Sequence, residues 1–268
     1  MKIIRVFPRR TKATPMDKNS YVGMPTLFCK ADEIHISVTF TWDLPEAERL
    51  AEEWKRIAPV KIGGPAIGMA GEDFVPGEYI KQGYVITSRG CPNKCWFCSV
   101  PKREGNIREL PIRDGYKILD DNLLACSNNH ISNVFEMLKG QKGIEFTGGL
   151  EAKRLKGWHV KELKKLRVSQ IFFAYDTEDD LEPLIQAGKI FQREGFNLKG
   201  RKLRCYNLIG WPKDTFEEAE KRMRQSWKAG FFPMAMLWRD QSGETTYNWR
   251  IFQRLWARPA ATYRLLQA

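Results

Sequence analysis

The decisive stretch of this chain is Ser88-Arg89-Gly90-Cys91-Pro92-Asn93-Lys94-Cys95-Trp96-Phe97-Cys98, in which three cysteines follow the spacing C-x3-C-x2-C. It follows residues 84–88, a run with the character of a strand. Folds with parallel strands build their sites from loops at the carboxyl ends of those strands. Half of the six cysteines in the chain fall in this loop. Such grouping predicts a metal centre in a reducing compartment and not a disulfide framework.

Three thiolates can hold three irons of a [4Fe–4S] cluster and leave the fourth iron without a protein ligand. The amine and carboxylate of S-adenosylmethionine can bind such an open iron, and an electron from the cluster can then break a carbon–sulfur bond. The alternative is structural zinc, which usually takes four protein ligands. Because Cys126, His130 and His35 are all far from the loop in sequence, the spacing favours the open cluster.

The same residues resemble the signature of the radical S-adenosylmethionine superfamily, which has this cysteine spacing and an aromatic residue before the last cysteine, the place of Phe97. The resemblance covers about residues 83–238. It implies a [4Fe–4S] cluster on Cys91, Cys95 and Cys98, with S-adenosylmethionine as cofactor and the backbone of Phe97 beside its adenine. It also implies an enzyme that abstracts a hydrogen atom from its substrate, with flavodoxin or ferredoxin as the reductant.

Strand-like and helix-like runs alternate along the chain, which predicts an α/β fold with a mainly parallel sheet. Strands are predicted at 84–88, 116–119, 144–147, 170–175, 203–209 and 234–238. Helices are predicted at 132–138, 151–166, 181–193, 216–228 and 245–257. Six strands with crossover helices predict a partial (β/α)6 barrel of the radical S-adenosylmethionine type over residues 78–268, including the last helix.

Residues 1–77 are predicted to form a small N-terminal appendage that ends in a loop rich in glycine and proline. A strand is predicted at 33–40, an amphipathic helix at 44–57 and a short strand at 60–62. These pieces resemble the second half of the cobalamin-binding Rossmann domain found in one class of the superfamily, so the appendage is interpreted as a truncated half-Rossmann segment. Cobalamin itself is not expected, because the D-x-H-x-x-G motif that supplies a histidine to cobalt does not occur in the chain.

Two segments at later strand ends compete for the methionyl amine of S-adenosylmethionine. Asp120-Asp121-Asn122 is similar to a segment of the cobalamin class, and Gly148-Gly149-Leu150-Glu151 resembles the Gly-Gly-Glu segment of the superfamily. If all six strands form, the resemblance favours the first segment and assigns Gly148 and Gly149 to the third strand. A pair of glycines is equally typical of a plain tight turn.

Three further residues are candidates for cofactor binding. Asp176 follows a predicted strand, where its carboxylate can take the ribose hydroxyls or can cap the next helix. Asn207 and Ile209 belong to a segment that resembles the fifth strand of methylthiotransferase-like members, whose apolar residues flank adenine.

The charge of the chain points to a polyanionic partner, because 44 lysines and arginines against 32 acidic residues give a net charge of +12. The last predicted helix carries aromatic residues interleaved with arginines: Trp249, Phe252, Trp256, Arg250, Arg254 and Arg258. Such residues can stack on bases and bind phosphates, although aromatics at helical spacing also suit a core. We therefore expect an enzyme that modifies or rearranges a nucleobase in DNA or RNA.

The compact architecture resembles small radical enzymes of bacteriophages, some of which act as isomerases in the hypermodification of thymidine in DNA. Two alternatives stay open: radical modification of a peptide or small metabolite, and a non-catalytic iron–sulfur protein that binds nucleic acid. No apolar run reaches the roughly 18 residues of a membrane helix, and the N-terminus lacks the pattern of a signal peptide. A cytoplasmic location without a membrane partner is expected.

Overall fold

The computed structural model describes residues 1–26, 29–69, 73–198 and 200–267. Its strands are β1 (Ile3–Phe7), β2 (Ser20–Val22), β3 (Glu33–Ser37), β4 (Val60–Gly63), β5 (Tyr84–Val85), β6 (Ser88–Arg89), β7 (Arg108–Glu109), β8 (Lys117–Ile118), β9 (Ile144–Leu150), β10 (Val168–Ala174), β11 (Leu203–Ile209) and β12 (Phe232–Leu237). Its α-helices are α1 (Leu44–Trp54), α2 (Val100–Arg103), α3 (Asn128–Lys139), α4 (Gly157–Lys165), α5 (Leu181–Arg193), α6 (Phe216–Lys228), α7 (Tyr247–Ala257) and α8 (Pro259–Gln267).

The larger sheet has six strands in the order β12-β11-β10-β9-β8-β5. Every neighbouring pair in this sheet is parallel. The α/β class with parallel sheets is therefore confirmed. Because all six strands run in the same direction, their carboxyl ends meet at one edge of the sheet, where the loops after β5, β8, β9 and β10 come together.

Alternating burial explains how β11 sits in this sheet. Leu203, Cys205, Asn207 and Ile209 are buried, while the residues between them are half-buried. Side chains in a strand point alternately to opposite faces, so one face of β11 packs against helices and the other does not. The bounds predicted for α5, β11 and α6 are confirmed to the residue, since each has a clear helical or alternating period.

A second, four-stranded sheet lies in the N-terminal part, in the order β2-β1-β3-β4, with all pairs parallel. Its core combines Ile4, Ile36, Leu50 and Trp54. The strand predicted at 33–40 ends already at Ser37, and β1 and β2 were missing from the prediction. The β1 pattern is hidden because a charged residue stands at its centre, and β2 has only three residues.

The charged residue of β1, Arg5, binds the N-terminal sheet to the segment that precedes β5. Its guanidinium donates to the carbonyls of Gly77, at 3.0 Å, and Glu78, and to the Asp17 carboxylate at 2.5 Å. The predicted division of the chain at residue 77 stays a prediction, although the two sheets lie on opposite sides of it in sequence. Among the residues described here, none of the helices has the length and apolarity needed to cross a bilayer.

His159 in α4 is a buried ionisable side chain, with 1% of its surface exposed. Its Nδ1 accepts a hydrogen bond from the Lys156 N–H at 3.0 Å. The buried Nε2 finds no hydrogen-bond partner in the part of the chain that the structure describes. Burial, and then the charge of Lys156, lower the pKa of His159 to about 4. The folded protein therefore holds this ring neutral at neutral pH.

Acid is expected to destabilise the fold through His159. The unfolded chain binds this proton near pH 6.5 and the folded chain only near pH 4, so the stabilisation is complete above pH 6.5 and is lost as the pH falls toward 4. Between about pH 7.5 and about pH 5 the free energy of unfolding should drop by roughly 2 kcal/mol on this account. In urea denaturation, His159→Asn, which keeps an acceptor for Lys156, should lose that drop. An equal drop in the variant would contradict the assignment.

Candidate metal centre

The cysteine loop, residues 90–98, begins in a conformation that favours glycine. Gly90 has a φ of 87°, and a side-chain carbon there would lie 2.2 Å from the backbone oxygen of Asn106. The Gly90 N–H donates to an Asp121 carboxylate oxygen at 2.9 Å, and the Cys91 N–H donates to the Gly105 carbonyl at 3.1 Å. These contacts fix the start of the loop against the segment that follows β8 and against the turn between α2 and β7.

The three thiols of the loop are electrostatic neighbours. Cys91 and Cys98 are half-buried and Cys95 is exposed. Partial burial raises the pKa of Cys95, and the nearby Cys98 and Cys91 raise it further. Burial also raises the pKa of Cys98, to which Cys91 again contributes. Within the described residues, no three His, Cys, Asp or Glu side chains converge tightly enough to hold one metal ion.

Asn122 joins the two segments that the sequence presents as alternatives. Its Nδ2 donates to the Cys91 Sγ at 3.3 Å and to the Glu151 carboxylate at 2.7 Å. Arg154 donates to the same Glu151 oxygen at 2.6 Å. The Asn122 side-chain oxygen, Oδ1, is buried and has no hydrogen-bond partner among the described residues. An unsatisfied buried acceptor therefore lies directly beside the cysteine trio.

The glycine pair brings Glu151 to this position. Between Phe146 and Leu150, β9 has extra residues relative to β10, and Gly149 has a φ of 91°. A bulge of this kind bends a strand and redirects the side chains beyond it. Gly148 lies so close to β8 that a side-chain carbon would be 2.1 Å from the Asp120 backbone oxygen. Both glycines thus shape the backbone of the site. Counted from β5, β9 is the third strand of the larger sheet, which is the place that the sequence predicts for the glycine pair if all six strands form.

The two carboxylates before Asn122, those of Asp120 and Asp121, bind the residues that lead into the cysteine loop. Asp120 is 1% exposed. It accepts hydrogen bonds from the Thr87 N–H at 2.6 Å, the Thr87 hydroxyl at 2.5 Å and the Ser88 hydroxyl at 2.8 Å. Burial raises the pKa of Asp120 and of Asp121. Of the three predicted residues of this segment, the structure therefore places Asn122 alone in contact with a cysteine, while Asp120 and Asp121 bind the backbone that precedes it.

Asp176 is the second residue after β10, and it lies close enough to Cys95 for its charge to affect that thiol. Its Oδ1 accepts a hydrogen bond from the Leu208 N–H at 3.0 Å. Burial raises the pKa of Asp176 to about 7, and its charge is among those that raise the pKa of Cys95. The cap of the following helical turn is Thr177, together with Asp180. The capping role considered for Asp176 is therefore taken by its neighbours.

Asn207 and Ile209 contact residues of α6, and their role beside the adenine stays a prediction. Both are fully buried. The Asn207 Oδ1 accepts from the Ser226 hydroxyl of α6 at 2.8 Å, and Ile209 packs in a cluster with Met223 of α6. The reason is the alternation of β11, whose apolar positions face the helices. The same alternation could have pointed to Tyr206, whose ring stacks on Phe172 at 4.3 Å on the opposite face.

Aromatic side chains surround the cysteine loop, and the sequence prediction included only Phe97. The half-buried Phe97 has its ring 5.4 Å from that of Trp96, which in turn lies 6.1 Å from the ring of Trp211. Trp211 is held by Arg222, whose guanidinium lies 4.4 Å from its ring. The loop after β11 thus reaches the cysteine loop through tryptophans. A further residue missed from sequence is Arg154, although its spacing three residues after Glu151 is a signal for an ion pair.

Gly148→Ala is expected to push β8 and β9 apart. The added carbon meets backbone at 2.1 Å, and we expect the free energy of unfolding in urea to fall by about 2 to 3 kcal/mol. Gly157→Ala is the matched control, because a carbon added there meets nothing within 4 Å. If both variants unfold at the same urea concentration, the close approach of the two strands does not require glycine.

No family model matches this chain, and no curated protein matches it either. What the site can do therefore follows from its own atoms. Three neighbouring thiols lie in a loop at the carboxyl edge of a parallel sheet. Beside them, in the described part of the chain, lies a buried amide oxygen that still lacks a donor.

Proposed function

We propose that this chain is a radical S-adenosylmethionine enzyme that modifies or rearranges a nucleobase. One observation carries the proposal: the amide of Asn122 bonds to Cys91 and Glu151 and leaves its buried Oδ1 without a partner among the described residues. A buried acceptor without a donor costs about 1 to 3 kcal/mol. An ammonium group placed against Oδ1 would satisfy it, and the methionyl part of S-adenosylmethionine carries such a group.

The residues of the site fit both cofactors. Cys91, Cys95 and Cys98 are neighbouring thiols that can each bind one iron of a [4Fe–4S] cluster. When bound, the cluster supplies an electron for cleavage of S-adenosylmethionine and so makes hydrogen-atom abstraction possible. The protein's own part is to position the cofactors and exclude water. Phe97, Trp96 and Trp211 contribute apolar surface at the loop that could serve this purpose once the cofactors are bound.

Acidic groups at the strand ends can hold the remaining polar parts of the cofactor. Glu151 is kept in place by Asn122 and Arg154, and its carboxylate would pair with the ammonium of the cofactor. Asp176, beyond β10, can accept hydrogen bonds from ribose hydroxyls once it is ionised. In this proposal, the six parallel strands in sequential order form a partial (β/α)6 barrel, and the N-terminal sheet is a truncated half-Rossmann appendage.

The substrate class is supported by the charge of the chain. A net charge of +12 attracts a polyanion, and an enzyme that attacks a base needs it unpaired or flipped out of the duplex. We therefore propose a nucleobase in DNA or RNA, with a hypermodified thymidine as the particular version to test. For the alternative substrates, a peptide or a small metabolite, the described residues offer no comparable supporting feature.

The test is anaerobic reconstitution of the full chain with iron and sulfide, followed by dithionite and S-adenosylmethionine. We expect 5′-deoxyadenosine to form, and S-adenosylmethionine to exchange deuterium with a deuterated nucleic acid substrate. The substitution Asn122→Ala should weaken binding of S-adenosylmethionine, while Asn133→Ala, on the exposed face of α3, serves as the control. Reconstituted protein that binds iron but forms no 5′-deoxyadenosine would favour a non-catalytic iron–sulfur protein and defeat the proposal.

A further inference from the structure

A cavity of about 340 Å³ lies along α7. It is lined by four arginines and two other residues: Arg239, Arg250, Arg254, Arg258, Gln253 and Ala257. All four arginines are exposed. The volume is in the range of ordinary ligand sites. The described lining thus carries four guanidinium groups, one side-chain amide and no carboxylate.

The helix α7 separates its aromatic residues from its arginines. Trp249, Phe252 and Trp256 pack into the cluster that contains Ile209 and Met223. Their stacking on bases, considered from sequence, is therefore replaced by a role in the core. Arg250 and Arg254 are four residues apart and so share the other face, about 6 Å apart along the axis, and Arg258 is the residue that follows the last turn of the helix.

These arginines have few internal partners. Arg239 donates to the Gly243 carbonyl at 2.9 Å and lies 5.5 Å from the Trp42 ring. Arg250 lies 5.9 Å from the ring of Tyr247. In the described parts of the chain, none of the four forms an ion pair within 4.0 Å, and Arg254 and Arg258 have no side-chain hydrogen bond. Four like charges around one cavity repel each other unless an anion lies between them.

Phosphate is the anion that this arrangement fits. A guanidinium binds two phosphate oxygens at once, with more specific geometry than an ammonium. Arginines one helical turn apart, about 6 Å, match the separation of neighbouring phosphates in an extended strand. Tyr247, at the start of the row, is 68% exposed and can stack on a base beside the phosphates.

The cavity is connected to the metal centre through packed side chains. Trp249 of α7 lies against Gly210, where an added carbon would be 3.1 Å from its ring. The next residue, Trp211, contacts Trp96 of the cysteine loop. Arg239 is the second residue after β12, at the same carboxyl edge of the sheet as the cysteines. Through Arg239, one end of the cavity therefore lies toward the edge of the sheet that carries the cysteine loop.

We infer that the arginine cavity of α7 binds consecutive phosphates of a single-stranded polynucleotide. This extends the proposed function, since it rests on a nucleic acid substrate. The arginines contact the backbone and not the base edges, so they hold many sequences alike.

The experiment measures fluorescence anisotropy of a labelled 20-nucleotide DNA strand, with the RNA strand and the DNA duplex as parallel probes. The full reconstituted chain is used without reductant or S-adenosylmethionine, over a series of KCl concentrations. The test variant is Arg250→Gln, Arg254→Gln, Arg258→Gln. The matched control is Lys161→Gln, Lys164→Gln, Arg167→Gln, which removes the same charge from exposed positions around α4.

We expect the test variant to bind either single strand about tenfold or more weakly, and the slope of log K against log salt to shrink by about 2, because each contact contributes about 0.7. The control should stay within about twofold of the unmodified protein. Equal losses in both triple variants would mean that net charge alone binds the strand, and this would overturn the inference. So would unchanged binding in the test variant, or the absence of binding of either single strand to the unmodified protein.

Failure of the proposed function gives a different result. Strand binding needs no cleavage of S-adenosylmethionine, so intact binding without 5′-deoxyadenosine would remove the enzyme proposal and leave the arginine cavity. Conversely, 5′-deoxyadenosine formation with no arginine-dependent binding would remove the cavity inference alone.

Discussion

Cys95→Ala is expected to abolish iron binding at the cysteine loop and to lower the formation of 5′-deoxyadenosine by more than about a hundredfold. Removing even a residue that only supports a metal ligand costs about 10- to 100-fold in affinity or activity, and Cys95 is a proposed ligand itself. Two thiolates cannot hold a cluster in which three irons need protein sulfur. Iron and sulfide content, the visible absorption of the cluster and product chromatography measure the effect.

The matched control for this substitution is Cys29→Ala, which removes a half-buried cysteine of the N-terminal sheet region. This variant should keep its iron and its rate of S-adenosylmethionine cleavage within about twofold of the unmodified protein. If Cys95→Ala retains a full complement of iron, the metal is held elsewhere and the proposed centre is wrong.

Asp120→Ala is expected to cost roughly 3 kcal/mol of unfolding free energy, because it leaves the Thr87 N–H and two hydroxyls without their buried acceptor. Thr87 and Ser88 lead directly into the cysteine loop. We therefore expect iron incorporation to fall as well, even though Asp120 touches no cysteine. Urea denaturation and iron stoichiometry after reconstitution measure the two effects.

The substitution Asp120→Asn distinguishes the contribution of the hydrogen bonds to stability from that of the negative charge of Asp120. The amide keeps one acceptor for Thr87, so this variant should lose less than half as much stability as Asp120→Ala. Unchanged stability in Asp120→Ala would mean that the three short contacts contribute nothing, and the support of the loop would then need another explanation.

Residues with a regular period could be predicted from sequence, and those fixed by long-range contacts could not. The predicted bounds of α5, β11 and α6 are confirmed. By contrast, the strand predicted at 84–88 divides into β5 and β6, because the Thr87 N–H is bound by the distant Asp120 carboxylate and not by a neighbouring strand. The short α2 and the final α8 are also missing from the sequence prediction.

The residues of the candidate site also divide into those that local sequence predicts and those that long-range contacts bring together. The spacing of Cys91, Cys95 and Cys98 is local, so the sequence could single out the loop. The meeting of Asn122 with Glu151 depends on a bulge in β9 and on its pairing with β8, which periodicity does not report. For this reason the two segments stood as alternatives in the sequence and lie together in the fold.

The order of strands in the larger sheet has a consequence for how the protein matures. Each of β9 to β12 pairs with the strand made just before it, so a chain emerging from the ribosome can add one unit at a time to an existing template. The cysteine loop is the exception, since it is synthesised first while Asn122 and Glu151 arrive 31 residues after Cys91 and a further 29 residues later. If the loop holds the proposed cluster, we expect iron to be incorporated only after the residues that follow β9 have been made.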